Sequence, residues 1–254
     1  SSDLLASIPR MRKIVDDCLV YDDQMSSHVT HVREILQRCH EKGISLKRDK
    51  FVFAQSEVDF CGYKISADGY KIDPRITNAI TDFPKPTNIT DLRSFFGLAN
   101  QLASFTDDIA SKMEPLRALL KPGNEFYWDT IHDKAFTETK AALANTPILA
   151  YYDPKRQTAL HVDASRLNGL GFLLQQLQDD GSWRMVQAGS RFLTDTETRY
   201  AMIDLELSGI VWAVKKCCMF LQGLPHFEII TDARPLIPIL NKHQINEIEN
   251  PPLQ

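Results

Sequence analysis

Between Gln157 and Ala233 the sequence changes its hydrophobic rhythm in a fixed order. "QTALHVDAS" (157–165), "GLGFLLQQL" (169–177) and "WRMVQAGSRFL" (183–193) alternate as strands do, and a glycine-bearing turn separates the first two. A helical pattern then runs from about Thr194 to Leu221, with Thr194 and Glu197 spaced as a capping box and Gly223 and Pro225 as a stop. "FEIITDA" (227–233) returns to strand. Three strands, a helix and a fourth strand argue for a mixed sheet with helices on its faces, which places this part in the α/β class.

That order puts carboxylates where packing does not want them. Asp163 follows Leu160 and Val162 on a strand, and Asp232 follows Ile229 and Ile230 at the end of another. Glu206 lies inside the long helix, with Met202, Gly209, Ile210 and Ala213 on its face, so it points from the apolar stripe. Asp204 is expected to face water. Each acid has an ordinary explanation: a turn cap with Ser165, a helix cap near Arg234, an ion pair for Glu206. All three together suit convergence on a pair of divalent ions that activate water and stabilise a leaving oxygen in phosphodiester cleavage.

The N-terminal part poses the same question. In "RKIVDDCLVYDD" (12–23), Asp16 and Asp17 stand inside an apolar run, residues 14–21, that reads as a buried strand. Burying ionised carboxylates costs several kcal/mol unless compensated, and Mg²⁺ is the natural compensation. From this stretch alone, a metal site and a strand end reaching solvent stand level. Asp22–Asp23, Asp107–Asp108 and Asp179–Asp180 sit in polar surroundings and need only solvation or turn chemistry.

Residues 27–42 place Val29, Val32, Ile35, Leu36 and Cys39 on one helical face, with Gly43 beyond. "KFVFA" (50–54) and "EVDFCGYKISADGYKI" (57–72) read as strands, with Asp68-Gly69 as a hairpin signal. Asp73-Pro74 opens a helix, and "FPKPTN" (83–88) breaks the chain. Ile89 to about Leu120 reads as helical, with Asn88 and Thr90 as caps; "KPGNEFYW" (121–128) is a loop and a further helix follows, stopped before Pro147, which together suggest a small separate helical subdomain.

Composition narrows the class. The 254 residues are 43% hydrophobic and 24% charged, ordinary for a globular chain, and no apolar run is long enough to span a membrane. The start lacks the basic-then-apolar order of a secretory signal. Five cysteines at irregular spacing form neither a zinc pattern nor a disulfide framework, which favours a reducing compartment. A net charge of −4 does not announce a nucleic-acid binder. Only Arg38–Lys50, with five Lys/Arg against two acids, is locally basic, and taken alone it reads as a solvated helix end.

The ordered set of motifs resembles the Pol polyprotein of gypsy-type LTR retrotransposons over essentially the whole chain. "IVDDCLVYDD" with its following helix, "KRDKFVF", "EVDFCGYKISADGYKID" and "DFPKPTNITDLRSFFGLANQ" are similar to the reverse transcriptase. "YYDPKRQTALHVDASRLNGLGFLLQQ", "AGSRFLTDTETRYAMIDLELSGIVWAVKKC" and "IITDARPL" are similar to the ribonuclease H that follows it. The resemblance implies three parts: 1–85 as the C-terminal part of the palm, 86–146 as a helical thumb, and 147–254 as a C-terminally truncated ribonuclease H-like domain. It makes Asp16, the firmer of the two, and Asp17 metal ligands of the polymerase, with Ile14 departing from the usual aromatic.

The resemblance also assigns Phe60, Gly62 and Tyr63 to a hairpin that holds the primer end, and Lys47, Arg48 and Lys50 to phosphate contacts. It assigns Asp163, Glu206 and Asp232 to two-metal hydrolysis of the RNA strand of RNA/DNA hybrids. The implied cofactor is Mg²⁺ or Mn²⁺, two ions per complete site. The implied partners are RNA/DNA hybrid, template–primer duplex and the remainder of Pol, in the cytoplasm, nucleus or retroelement particle.

Against the family pattern, the 15 residues before Asp16 leave no room for the third polymerase aspartate, and the 22 after Asp232 none for a fourth ribonuclease H ligand. The chain is therefore expected to be a fragment: inactive as a polymerase alone, weak as a nuclease, with an open palm edge prone to self-association. The rival expectation is a co-opted, catalytically inactive fragment that binds nucleic acid or protein.

Overall fold

The computed structural model describes residues 8–121 and 123–242, which divide at Asp68 and Gly69 into two compact units. In the first, β1 (Met11–Ile14) and β2 (Asp17–Val20) form an antiparallel hairpin in which Ile14 pairs with Asp17. The apolar run 14–21 is thus not one buried strand. Val15 and Asp16 are the two loop residues, and Val15 takes φ +52° with 81% of its surface exposed. A positive φ at the first loop position matches the twist of a tight hairpin, and a β-branched residue adopts it only under strain.

Helix α1 (Met25–Glu41) follows, burying Ile35 and Cys39 against Ile8 and Met11 while Leu36 stays exposed. Gly43, at φ +67°, closes its end. The expected strand 50–54 does not form. Arg48–Lys50 is a 3₁₀ turn, and Phe51, Val52 and Phe53 follow in irregular, exposed backbone. Apolar residues hold a strand only where a ladder partner accepts their amides, and no described strand pairs with them. Strands β3 (Glu57–Phe60) and β4 (Tyr63–Ser66) are joined by Cys61 and Gly62, at φ +51° and +83°, the signature of a type I′ turn.

The second unit opens with β5 (Gly69–Ile72). Helix α2 (Pro74–Thr81) is capped by Asp73 with proline in its first position, and α3 (Ile89–Leu102) by Asn88, which accepts from the Asp91 amide at 2.9 Å. Helices α4 (Ile109–Ala118) and α5 (Thr130–Ala144) complete a helical layer around Leu92, Phe95, Met113, Leu116, Phe136 and Leu143. Phe95 and Phe136 pack with ring centroids 4.7 Å apart, and each fully buried side chain of this size contributes roughly 1.5–3 kcal/mol. Leu149, Met185 and Phe192 join the same core, so the helical layer is continuous with the sheet beyond it. The 86 and 147 boundaries expected from the sequence both fall within this second unit.

The sheet contains β6 (Thr158–Ser165), β7 (Gly169–Leu177), β8 (Trp183–Arg191) and β9 (Glu228–Ile230) in the order β8-β7-β6-β9. β6 runs antiparallel to β7 and parallel to β9. Helix α6 (Met202–Lys216) lays Leu207, Ile210 and Ala213 over Leu160, Val162 and Leu174. The short α7 (Cys218–Leu221) and α8 (Leu236–Lys242) flank it.

The single helix expected from Thr194 is interrupted. Glu197–Arg199 is a 3₁₀ turn, Tyr200 and Ala201 are extended, and α6 starts only at Met202. The capping box exists, with Glu197 accepting from the Thr194 amide at 2.9 Å. Arg191 on β8 grips the same carboxylate through two nitrogens, at 2.6 and 2.7 Å, and holds its pKa down to about 2. The cap is thereby anchored to the sheet rather than to α6.

Gly169 opens β7 at φ +94°, and a Cβ there would lie 2.2 Å from the Arg191 carbonyl oxygen. Gly169→Ala is expected to cost 2 kcal/mol or more, on the order of a strained backbone plus a displaced strand. A lower urea midpoint with unchanged slope checks this; an unchanged midpoint refutes it.

Candidate functional site: an acidic triad from two strand ends and a helix

β6 and β9 are parallel neighbours, so their C-terminal ends meet. Asp163 sits near the end of β6 on the face opposite the buried Val162 and Ala164, and Asp232 lies two residues past β9. Glu206 reaches them from the second turn of α6. Each of the three offers one carboxylate oxygen, and these oxygens lie within 4.8 Å of one another.

Local donors do not satisfy them. Ser165, offered as a turn partner for Asp163, instead accepts from the Leu167 and Asn168 amides. At the other end it is the backbone carbonyl of Asp232, not its carboxylate, that takes the Arg234 amide. Glu206 is 4% exposed, and its Oε2 is buried with no hydrogen-bond partner. Burial first, then the charges of Asp232 and Asp163, push its pKa up to about 7. Asp204, expected to face water, is instead half-buried with Oδ1 lacking a partner, because Leu205 and Leu207 draw this side of α6 into the core.

Three converging carboxylates without a cationic partner are costly. A divalent cation supplies what the site lacks, and an all-oxygen donor set suits Mg²⁺ or Mn²⁺. Beside the triad opens a cleft of about 490 Å³ whose walls include Asp163, Asp232 and His161 on the sheet and Asp107, Asp108 and Ser111 at the start of α4. The α4 wall is pinned: the Ala110 amide donates to Ser190 Oγ at 2.9 Å, and the Asp107 carbonyl lies where a Cβ on Gly171 would come within 2.9 Å. Sequence reasoning missed this wall because nothing in "FTDDIASK" signals a distant strand.

The other expected site residues lie in the first unit. Asp16 and Asp17 are adjacent on the hairpin and exposed, so the premise that a strand buries them does not hold. Among the described residues no third carboxylate joins them as a metal-holding group. Gly62 is in the type I′ turn, flanked by Phe60 and Tyr63. Lys47 precedes the 3₁₀ turn and Arg48 and Lys50 are in it, all three exposed and, among the described residues, without ion pairs.

Asp22, read as a solvated turn residue, is overturned. Its side chain is 1% exposed and accepts from His31 Nδ1 at 2.8 Å and His28 Nδ1 at 3.2 Å. The i, i+3 spacing of two histidines on α1 was the available signal.

The second unit is thus a mixed sheet flanked by helices, with two acids at adjoining strand ends and a third on α6. Residues 128–229 match the family model of the RNase H-like domain found in reverse transcriptase. The Transposon Tf2-3 and Tf2-4 polyproteins of Schizosaccharomyces pombe are each 30% identical to this chain over 224 residues, 88% of this chain and 17% of the polyprotein. The chain thus spans a small part of the curated relatives it matches. Among solved structures, the foamy viral protease-reverse transcriptase in complex with dsDNA aligns at TM-score 0.80 and 23% identity, covering 98% of this chain and 51% of that one. The same enzyme in complex with RNA/DNA hybrid aligns at 0.77 and 22%, covering 98% and 36%. At that identity the likeness shows the fold.

Proposed function

We propose that the chain is part of a gypsy-type retroelement polyprotein, with a reverse-transcriptase palm remnant (1–85), thumb (86–146) and ribonuclease H-like domain (147–254), and that its second unit hydrolyses the RNA strand of RNA/DNA hybrids. The mutual approach of Asp163, Glu206 and Asp232 within 4.8 Å carries this reading. Those three residues would hold divalent ions, Mg²⁺ or Mn²⁺. Such ions supply charge stabilisation and water activation at the scissile phosphate.

The chain's own residues do the rest. β6 and β9 fix two carboxylates on rigid strands, and α6 delivers the third from a dry face. Glu206, its pKa pushed up to about 7 by burial and by Asp232 and Asp163, carries a proton in part of the molecules near neutrality. The cleft between the sheet and the start of α4 orients the strand. In the first unit, Asp16 and Asp17 are the polymerase ligands inherited from the complete palm, Phe60, Gly62 and Tyr63 the primer-end hairpin, and Lys47, Arg48 and Lys50 phosphate contacts. No helix of the described residues is long and apolar enough to cross a membrane; the proposed setting is intracellular, with hybrid, template–primer and the rest of the polyprotein as partners.

The test is cleavage of an RNA/DNA hybrid labelled on its RNA strand, with Mg²⁺ or Mn²⁺ and with chelator. Metal-dependent shortening of the RNA is expected. Absence of both cleavage and calorimetric metal binding refutes the reading and leaves the co-opted binding fragment in its place.

A further inference from the structure

One side chain of the cleft has chemistry unlike the rest. Of the residues lining it, four are aspartates, and His161 is the sole side chain carrying a basic nitrogen. Alternation along β6 puts His161 on the same face as Asp163, about 6–7 Å farther back along the strand. Its neighbours across the sheet are Leu173 on β7 and Ile230 on β9, both apolar. Among the described residues no hydrogen bond or ion pair engages its ring, which is half-buried on the cleft floor. A polar ring flanked by aliphatic side chains and directed into an open cleft has its donor available to a ligand.

The opposite wall carries two further acids, Asp107 and Asp108. Asp108 is neutralised locally, taking a hydrogen bond from Thr106 Oγ1 at 2.8 Å and an ion pair from Lys112. Asp107 also lines the cleft, and among the described residues no hydrogen bond or ion pair engages its side chain. On the sheet side His161, two residues before Asp163, offers its unengaged ring N–H to a phosphate brought to the neighbouring triad.

We propose that His161 binds the phosphate next to the one placed at Asp163, Glu206 and Asp232, and so fixes how the nucleic-acid strand lies along the cleft. The role is a hydrogen bond from the imidazole N–H to a non-bridging phosphate oxygen, with no bond made or broken. It rests on the hydrolytic reading of the triad.

The experiment compares the full chain with His161→Ala and His161→Gln, the latter keeping an N–H donor of similar reach. Fluorescence anisotropy of a fluorescein-labelled RNA/DNA hybrid is read in Mg²⁺, alongside KM and kcat for cleavage and Mg²⁺ binding by calorimetry. For the alanine variant, dissociation constant and KM are expected to rise about tenfold, the loss typical of one hydrogen bond to a charged group. Its kcat is expected to stay within twofold and its Mg²⁺ affinity to be unchanged, and glutamine should recover most of the loss.

An unchanged dissociation constant in the alanine variant overturns the proposal. So does a fall in Mg²⁺ affinity, which would place His161 in the metal site instead. A chain that binds and cleaves hybrid equally well with and without His161 sinks this inference alone. A wild type that neither binds Mg²⁺ nor cleaves sinks the hydrolytic reading, and the inference with it.

Discussion

Asp163→Asn is expected to abolish metal-dependent hybrid cleavage, by at least about 100-fold, while making the metal-free protein more stable. The two effects have one cause. A carboxylate oxygen of Asp163 lies within 4.8 Å of oxygens of Glu206 and Asp232, so on the proposed reading its charge would serve cation binding, while without a cation it opposes folding. Loss of even an outer-shell partner of a metal site costs 10–100-fold, and loss of a direct carboxylate should exceed that. Neutralising it also removes one of the charges that raise Glu206, which should add on the order of 1 kcal/mol to stability in chelator. Cleavage and chemical denaturation measured on one preparation separate this from misfolding, since a misfolded variant loses both. Cleavage that survives the substitution ends the assignment.

The second large effect concerns pH. Glu206 titrates near 4.5 when unfolded and about 7 when folded. The folded state therefore holds its proton more tightly, and stability from this group is fully present below the unfolded value. It is lost as pH rises through the window from about 4.5 to 7. The expected loss in metal-free buffer is on the order of 2–3 kcal/mol. Glu206→Gln should flatten this dependence, because an amide has no charge to desolvate, and Mg²⁺ should offset it in the wild type by binding only the folded, ionised triad. Urea titrations from pH 4.5 to 7.5, with chelator or Mg²⁺, provide the comparison. A glutamine variant that keeps the wild-type slope would assign the dependence to another group.

Much of this site was legible in the sequence because it depends on short-range periodicity. Asp163, Glu206 and Asp232 each broke a local pattern, alternation in a strand or the apolar stripe of a helix, and the order of elements implied that they meet. The sheet strands and the Asn88 and Asp73 caps were equally local. What could not be read depended on contacts distant in sequence. The break before Met202 comes from Arg191 seizing Glu197 across the fold. The exposed turn at Val15 replaced a buried strand because two residues of an apolar run chose a hairpin instead. Asp204 was assigned to solvent by counting residues, while its neighbours on α6 drew it inward. The cleft wall at Asp107–Ser111 is set by a serine on β8, 80 positions from the amide it accepts.

The burial of Asp22 beside two imidazoles links the tautomers of both rings. When Asp22 is ionised its carboxylate only accepts, and the two contacts then call for hydrogen on Nδ1 of both His28 and His31. For a neutral ring this selects one tautomer and leaves Nε2 as the lone-pair nitrogen. Two residues of one helix are thus held in the same tautomeric form by a single acceptor, and nitrogen-15 spectra of the side chains should show both with the same assignment, changing together when Asp22 is replaced by alanine.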